Sequence, residues 1–172
     1  MHIRLLSIVA CLVALVGCDN DAGPDNPPQV GTTPDFEVET LQSSNLKANL
    51  KQFHGKPVIL DFWATWCGPC HELSPYIESI YQKYRGRGLE AMAISAETRQ
   101  TVAKYEANQP HKMPVYLDPN GVANMTLDVQ SLPTVVVIGK DGKVTYFGVG
   151  VMTGLIDQTA SQIDQAVAKA VQ

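Results

Sequence analysis

Little in this chain points to a resident metal, a nucleic acid or a membrane-spanning helix. It has four cysteines, and none follows Cys70. A zinc site on Cys67 and Cys70 would need two more ligands, usually a second C-x-x-C or an H-x-x-x-H. His54, His71 and His111 stand singly and cannot complete that pattern. Basic residues number 13 against 17 acidic, for a formal charge of −4. With no basic patch, there is no electrostatic footprint for nucleic acid. No internal repeat is present. The apolar run from Leu5 to Val16 falls short of the roughly 20 residues a membrane-spanning helix requires.

That run has another use. Arg4 precedes it and Gly17-Cys18 follows it, which is the layout of an export signal: a basic start, a short apolar core and a small-residue cleavage site. Leu15-Val16-Gly17-Cys18 resembles the bacterial lipobox, whose cysteine becomes the lipidated first residue of the mature chain. Residues 1–17 then read as a lipoprotein signal peptide, and Cys11 is discarded with it. The alternative is an ordinary secretory signal with a chance cysteine at position 18. Asp19 resembles the signal that retains a proteobacterial lipoprotein in the inner membrane. The expected location is the periplasmic side of that membrane, or the outer face of the cell membrane in a Gram-positive host. Residues 18–34 read as the lipidated N-terminus and a flexible linker, being rich in Asp, Asn, Gly and Pro. Residues 35–172 are one domain, large enough for a proper core.

Within that domain, strand and helix patterns alternate. Phe36–Thr40 alternates as a strand does, and Leu46–Phe53 has the spacing of a short helix. Val58–Trp63 is a short apolar run rich in branched and aromatic residues, the mark of a buried strand. Residues 68–84 form a helix with Leu73, Tyr76, Ile77, Ile80, Tyr81 and Tyr84 on its core side. Leu89–Ser95 is a strand, 98–107 a helix, 114–117 a strand, and a short helix ends near Leu127. Val135–Ile138 and Val144–Val149 pair as a hairpin across Asp141-Gly142, a strong turn signal. A last helix presents Leu155, Ile156, Thr159, Ile163, Val167 and Ala170 in one stripe. The pattern is α/β: a mixed sheet flanked by helices on both faces.

The chemistry sits where the buried strand hands over to a helix, at Trp66-Cys67-Gly68-Pro69-Cys70. Cysteines three apart on a first helical turn are close enough to bridge. The helix N-terminus favours an anion, so it stabilises the thiolate of Cys67. By position, Cys67 is the nucleophile and the more exposed of the pair; Cys70 resolves the mixed disulfide. A purely structural bridge is the plainer reading, but closing so small a loop restricts the unfolded chain little.

The stretch Val58–Cys70 resembles the active-site strand and turn of thioredoxin, and the resemblance runs from about Asp35 to the C-terminus. Pro75 sits like that family's helix proline, and Leu132-Pro133-Thr134 like its cis-proline segment. The layout is similar to the membrane-tethered, periplasmic TlpA/ResA branch. This implies a thioredoxin fold with an N-terminal strand extension and a mid-chain α/β insert over about 98–127. It also implies that Asp61 is a buried acid that takes the proton of Cys70. A carboxylate at a solvent-exposed strand end is the alternative. Pro133 would be cis and would free the Leu132 backbone to pair with a client chain, unless it is an ordinary turn proline. Trp66, Gly68 and Pro69 would form the rim that clients touch. Many members of that branch carry asparagine at the Asp61 position and glutamate three residues after the second cysteine. Here that later position is Leu73, and Glu72 is off by one, so the acid role falls to Asp61. His71 reads as a helix-surface residue.

Gly-Pro between the cysteines is the thioredoxin dipeptide, which sides with a reductant. The resemblance implies no cofactor beyond the redox-active Cys67–Cys70 disulfide. It also implies protein disulfide substrates, such as apocytochrome c thiols, and a DsbD/CcdA-type membrane reductase as electron donor. Two alternatives use the same thiols: a copper chaperone for oxidase assembly, or a thiol peroxidase.

Overall fold

The computed structural model describes residues 29–151 and 154–172. The signal segment, Cys18 and the linker up to residue 28 lie outside the described residues. The chain runs β1 (Glu37–Thr40), β2 (Ser43–Asn49), β3 (Val58–Phe62), α1 (Gly68–Tyr84), β4 (Glu90–Ser95), α2 (Arg99–Glu106), β5 (Val115–Leu117), α3 (Val122–Thr126), β6 (Thr134–Ile138), β7 (Val144–Val149) and α4 (Ile156–Ala170). One mixed sheet has the order β2-β1-β5-β4-β3-β6-β7. β3 is parallel to β4 and antiparallel to β6, so it is paired on both edges. That explains its unbroken apolar composition, since a strand with helices on both faces has no solvent side.

Alternation along β3 sorts the core. Ile59 and Trp63 join one apolar layer with Leu73 and Ile77 of α1 and Ile163 and Val167 of α4. Val58, Leu60 and Phe62 face the opposite layer with Val38, Met92, Val136 and Leu127. Asp61 has the parity of Ile59 and Trp63 and so faces the α1 layer, with Ala93 and Val135 as its register partners. α1 ends in a short 3-10 turn, and Gly88 at φ 91° reverses the chain into β4, a left-handed backbone that glycine adopts freely.

The structure differs from the sequence reading at five places. Leu46–Phe53 is not a helix: residues 43–49 are β2, antiparallel to β1, and only Leu50–Phe53 make a 3-10 turn. Leu46 is exposed, while Ala48 and Leu50 are buried, so the true signal was the two-residue step from 48 to 50. Tyr76 and Leu155, read as core, are 38% and 40% exposed. Residues 29–34, read as the end of the linker, belong with the domain: the Gly31 N–H donates to Val144 O (2.8 Å) and the Val144 N–H to Thr32 O (2.9 Å). The fourth and fifth, at the cysteines and at His71, are described next.

Candidate active site

Cys67 and Cys70 form a disulfide with their Cα atoms 5.2 Å apart. Cys67 is the N-cap of α1, and its Sγ accepts from the Cys70 N–H at 3.2 Å. Its carbonyl accepts the first helical bond, from the His71 N–H at 3.2 Å. No acidic residue lies in the first turn of α1, so nothing there competes for the helix's positive end. Both cysteines are equally buried, at 3% exposure each. The expectation that Cys67 is the more exposed is therefore corrected for this disulfide state. Position at the helix start, not exposure, is what distinguishes Cys67.

The turn that carries the motif is fixed from its flank. Glu97, just after β4, accepts from the Thr65 N–H (2.6 Å) and the Thr65 hydroxyl (2.8 Å). The Trp63 N–H continues the sheet to Ile94 O at 3.1 Å, and the Cys67 N–H closes the turn onto Ala64 O at 3.1 Å. Trp66 is thrown outward, 73% exposed, beside exposed Gly68 and Pro69. Opposite the turn, the Leu132–Pro133 peptide is cis, and Pro133 O accepts from Gly150 N–H at 2.7 Å. A cleft of about 160 Å³ opens between Ala64, Trp66, Glu97, Asn124 and Leu132. The structure thus brings together Cys67, Cys70, Trp66, Gly68, Pro69, Leu132 and Pro133 at one end of the sheet.

Asp61 lies one layer deeper, 2% exposed. Burial pushes its carboxyl up to about 7, and the charge of Glu78 adds to the effect. Burial disfavours the charged form, and a like charge does the same. Leu73 is buried and Glu72 exposed on the outer side of α1, so Asp61 is the carboxyl that faces this layer from the sheet.

Several neighbours escaped the sequence reading. The Trp63 indole packs against the His111 ring, centroids 4.3 Å apart, and against Tyr105 at 5.2 Å. His71 is half-buried and stacks on Tyr105 at 5.2 Å, so it is not a helix-surface residue. Glu106 accepts from the His111 backbone N–H at 3.0 Å and contacts its ring Nδ1. Trp63 Nε1 and His71 Nε2 are buried with no partner among the described residues. Glu78 is also buried, although α1 is otherwise a simple amphipathic helix. The ring contacts of Trp63 and His71 join positions 30 to 50 residues apart, which no local spacing reveals. Among the described residues no group of three or more His, Cys, Asp or Glu is placed to hold a metal ion, and no helix is long and apolar enough to cross a membrane.

A Redoxin family model matches residues 29–167. The chain belongs to the Redoxin family. It is 38% identical over 137 residues to the thiol-disulfide oxidoreductase ResA of Bacillus thuringiensis subsp. konkukian (strain 97-27), covering 79% of this chain and 75% of that protein. It is 31% identical over 133 residues to ResA of Bacillus subtilis (strain 168), covering 77% and 73%. Among solved structures, the pneumococcal exposed lipoprotein thioredoxin Etrx1 from Streptococcus pneumoniae strain TIGR4 superposes with a TM-score of 0.61 at 27% identity, over 74% of this chain and 98% of that one. The sheet order and flanking helices are those of the thioredoxin fold. This Redoxin chain is a thiol-disulfide oxidoreductase with a redox-active disulfide at Cys67–Cys70.

Proposed function

We propose that the protein is an extracytoplasmic reductase of protein disulfides, held to the membrane by a lipid on Cys18. The observation that carries the reductase reading is the Cys-Gly-Pro-Cys pair at the start of α1 with Asp61 buried in the layer behind it. Gly-Pro between the thiols is the thioredoxin dipeptide, and thioredoxin lies about 150 mV below DsbA, about 7 kcal/mol for two electrons. The export reading rests on residues 1–17 and the Leu15-Val16-Gly17-Cys18 box. The pneumococcal neighbour Etrx1 is an exposed lipoprotein, which supports this reading.

In the reduced protein, the helix N-terminus stabilises the thiolate of Cys67. That thiolate attacks one sulfur of a client disulfide, and the other client sulfur leaves as a thiolate. Asp61, as the carboxylate, then takes the proton of Cys70 by way of the site interior. The Cys70 sulfur attacks Cys67, the Cys67–client bond breaks, and the client's second thiolate leaves. Two electrons pass from the dithiol to the client. Leu132 and the exposed Trp66, Gly68 and Pro69 flank the reacting sulfur, so they receive the client backbone. Apocytochrome c thiols are the proposed client class, and a DsbD/CcdA-type membrane reductase the proposed donor.

Insulin reduction with a thiol donor tests the chemistry. Cys67→Ser should abolish turnover. Cys70→Ser should accumulate a mixed disulfide through Cys67. Turnover that survives Cys67→Ser would refute the assignment.

A further inference from the structure

α3 contributes one polar side chain to the wall of the active-site cleft, Asn124. The backbone there is held from both sides. Asp118, buried just after β5, accepts from the Val122 N–H (2.7 Å) and the Asn124 N–H (3.1 Å). The Asn124 carbonyl accepts from the Val129 N–H at 2.8 Å. Ala123 and Leu127 are buried in the core, so this short helix is anchored although only one turn long. The placement of Asn124 is therefore fixed before anything enters the cleft.

Its side chain has no such tie. Asn124 Oδ1 is a buried acceptor with no hydrogen-bond partner among the described residues. An unpaired buried acceptor is costly, and an apolar residue would avoid the cost. The other polar group lining the cleft cannot satisfy it: Glu97 offers a carboxylate, and both its oxygens already accept from Thr65. The rest of the lining is apolar, Trp66 and Leu132 included. At about 160 Å³ the cleft is smaller than the roughly 300–1,000 Å³ of a site for a drug-sized ligand. It suits a length of main chain lying across the surface.

We propose that Asn124 is a specificity-determining residue for protein clients: its side-chain amide pairs with the client main chain beside the reacting cysteine, Oδ1 accepting a client N–H. The client strand is then held between α3 and the Leu132–Pro133 loop. The proposal rests on the reading of Trp66 and Leu132 as the rim that receives the client. A client sulfur bonded to Cys67 lies next to Trp66, and Trp66 and Leu132 both border this cleft, so the client residues flanking that sulfur pass over it. A side-chain amide carries one acceptor group and two donors, the complement of a peptide group. Main-chain hydrogen bonds give affinity whatever the client's side chains are. A small disulfide with no peptide backbone gains nothing from Asn124.

The test follows oxidation of the pre-reduced full protein, read by thiol trapping, with two substrates. One is a peptide closed by a single disulfide; the other is 2-hydroxyethyl disulfide, which has no main chain. Asn124→Ala should lower the ratio of the two second-order rate constants, peptide over 2-hydroxyethyl disulfide, by about three- to tenfold. Methylating the peptide nitrogen of one residue flanking the reacting cysteine should cost the parent a similar factor and cost Asn124→Ala nothing further. The melting temperature of Asn124→Ala should not fall, because the change removes an unpaired polar group. A ratio equal to the parent's overturns the proposal; if both rates drop together and the melting temperature falls, the role of Asn124 is structural. A parent dimer that Asn124→Ala dissolves, with the ratio unmoved, gives the cleft to a second copy of the chain and also overturns it. A parent that reduces 2-hydroxyethyl disulfide but not the peptide overturns the protein-client reading itself, and the role of Asn124 with it.

Discussion

At the scale of the residue, Asp61 sets the pH behaviour. Its carboxyl stands at about 7 when folded against 3.8 ordinarily, so between those values the folded state holds a proton that the unfolded chain has lost. Stability therefore falls as pH rises from about 4 to about 7. The gap amounts to about 4 kcal/mol at most. Asp61→Asn should remove this slope and leave the oxidised protein more stable than the parent above pH 7, as read by urea unfolding at pH 5 and pH 8. Equal slopes in the two proteins would contradict the assignment. The burial of Asp61 was legible in the sequence, because Ile59-Leu60 and Phe62-Trp63 leave a strand no wet face. The exposure of Cys67 was not, since a turn's solvent access depends on Trp63, Tyr105 and the cis-proline segment, which approach from elsewhere in the chain.

Among the elements, α1 and the turn before it show how anchoring and recognition separate. Ile77 is fully buried on the inner side of α1, whereas Trp66 projects from the turn into solvent. Ile77→Ala should destabilise the fold by about 2–5 kcal/mol through the cavity it leaves. Trp66→Ala should change stability by no more than about 0.5 kcal/mol while raising KM for a protein client; chemical denaturation beside steady-state kinetics separates the two effects. Glu97→Ala removes two bonds to half-buried Thr65 and should lower stability by about 1–3 kcal/mol, at about 0.5–1.5 kcal/mol for each hydrogen bond lost. α1 itself was legible to within a residue. Gly68-Pro69 suits a helix start, and the residues from Leu73 to Tyr84 keep helical spacing. β2 was misread because Leu46, Leu50 and Phe53 imitate that spacing at an edge strand, where the outer residues are free of packing constraints.

For the molecule as a whole, the sheet places three distant stretches at one end: the β3–α1 turn, the loop after β4 with Glu97, and the loop into β6 with Pro133. The strand-to-helix handover and the Asp141-Gly142 hairpin made the order of elements readable. The packing of the α2–β5 segment onto α1 was not readable, for it rests on a backbone N–H of Lys112 and on ring stacking between positions far apart. The reaction's direction is a property of the whole molecule, since it depends on how the fold stabilises disulfide against dithiol. The most direct test is the reduction potential of the Cys67–Cys70 couple, equilibrated in dithiothreitol or glutathione buffers and read by thiol trapping. A value near or below about −250 mV is expected of a reductase supplied by a membrane donor. A value above about −180 mV would contradict that account and make the protein an oxidant or isomerase of its clients.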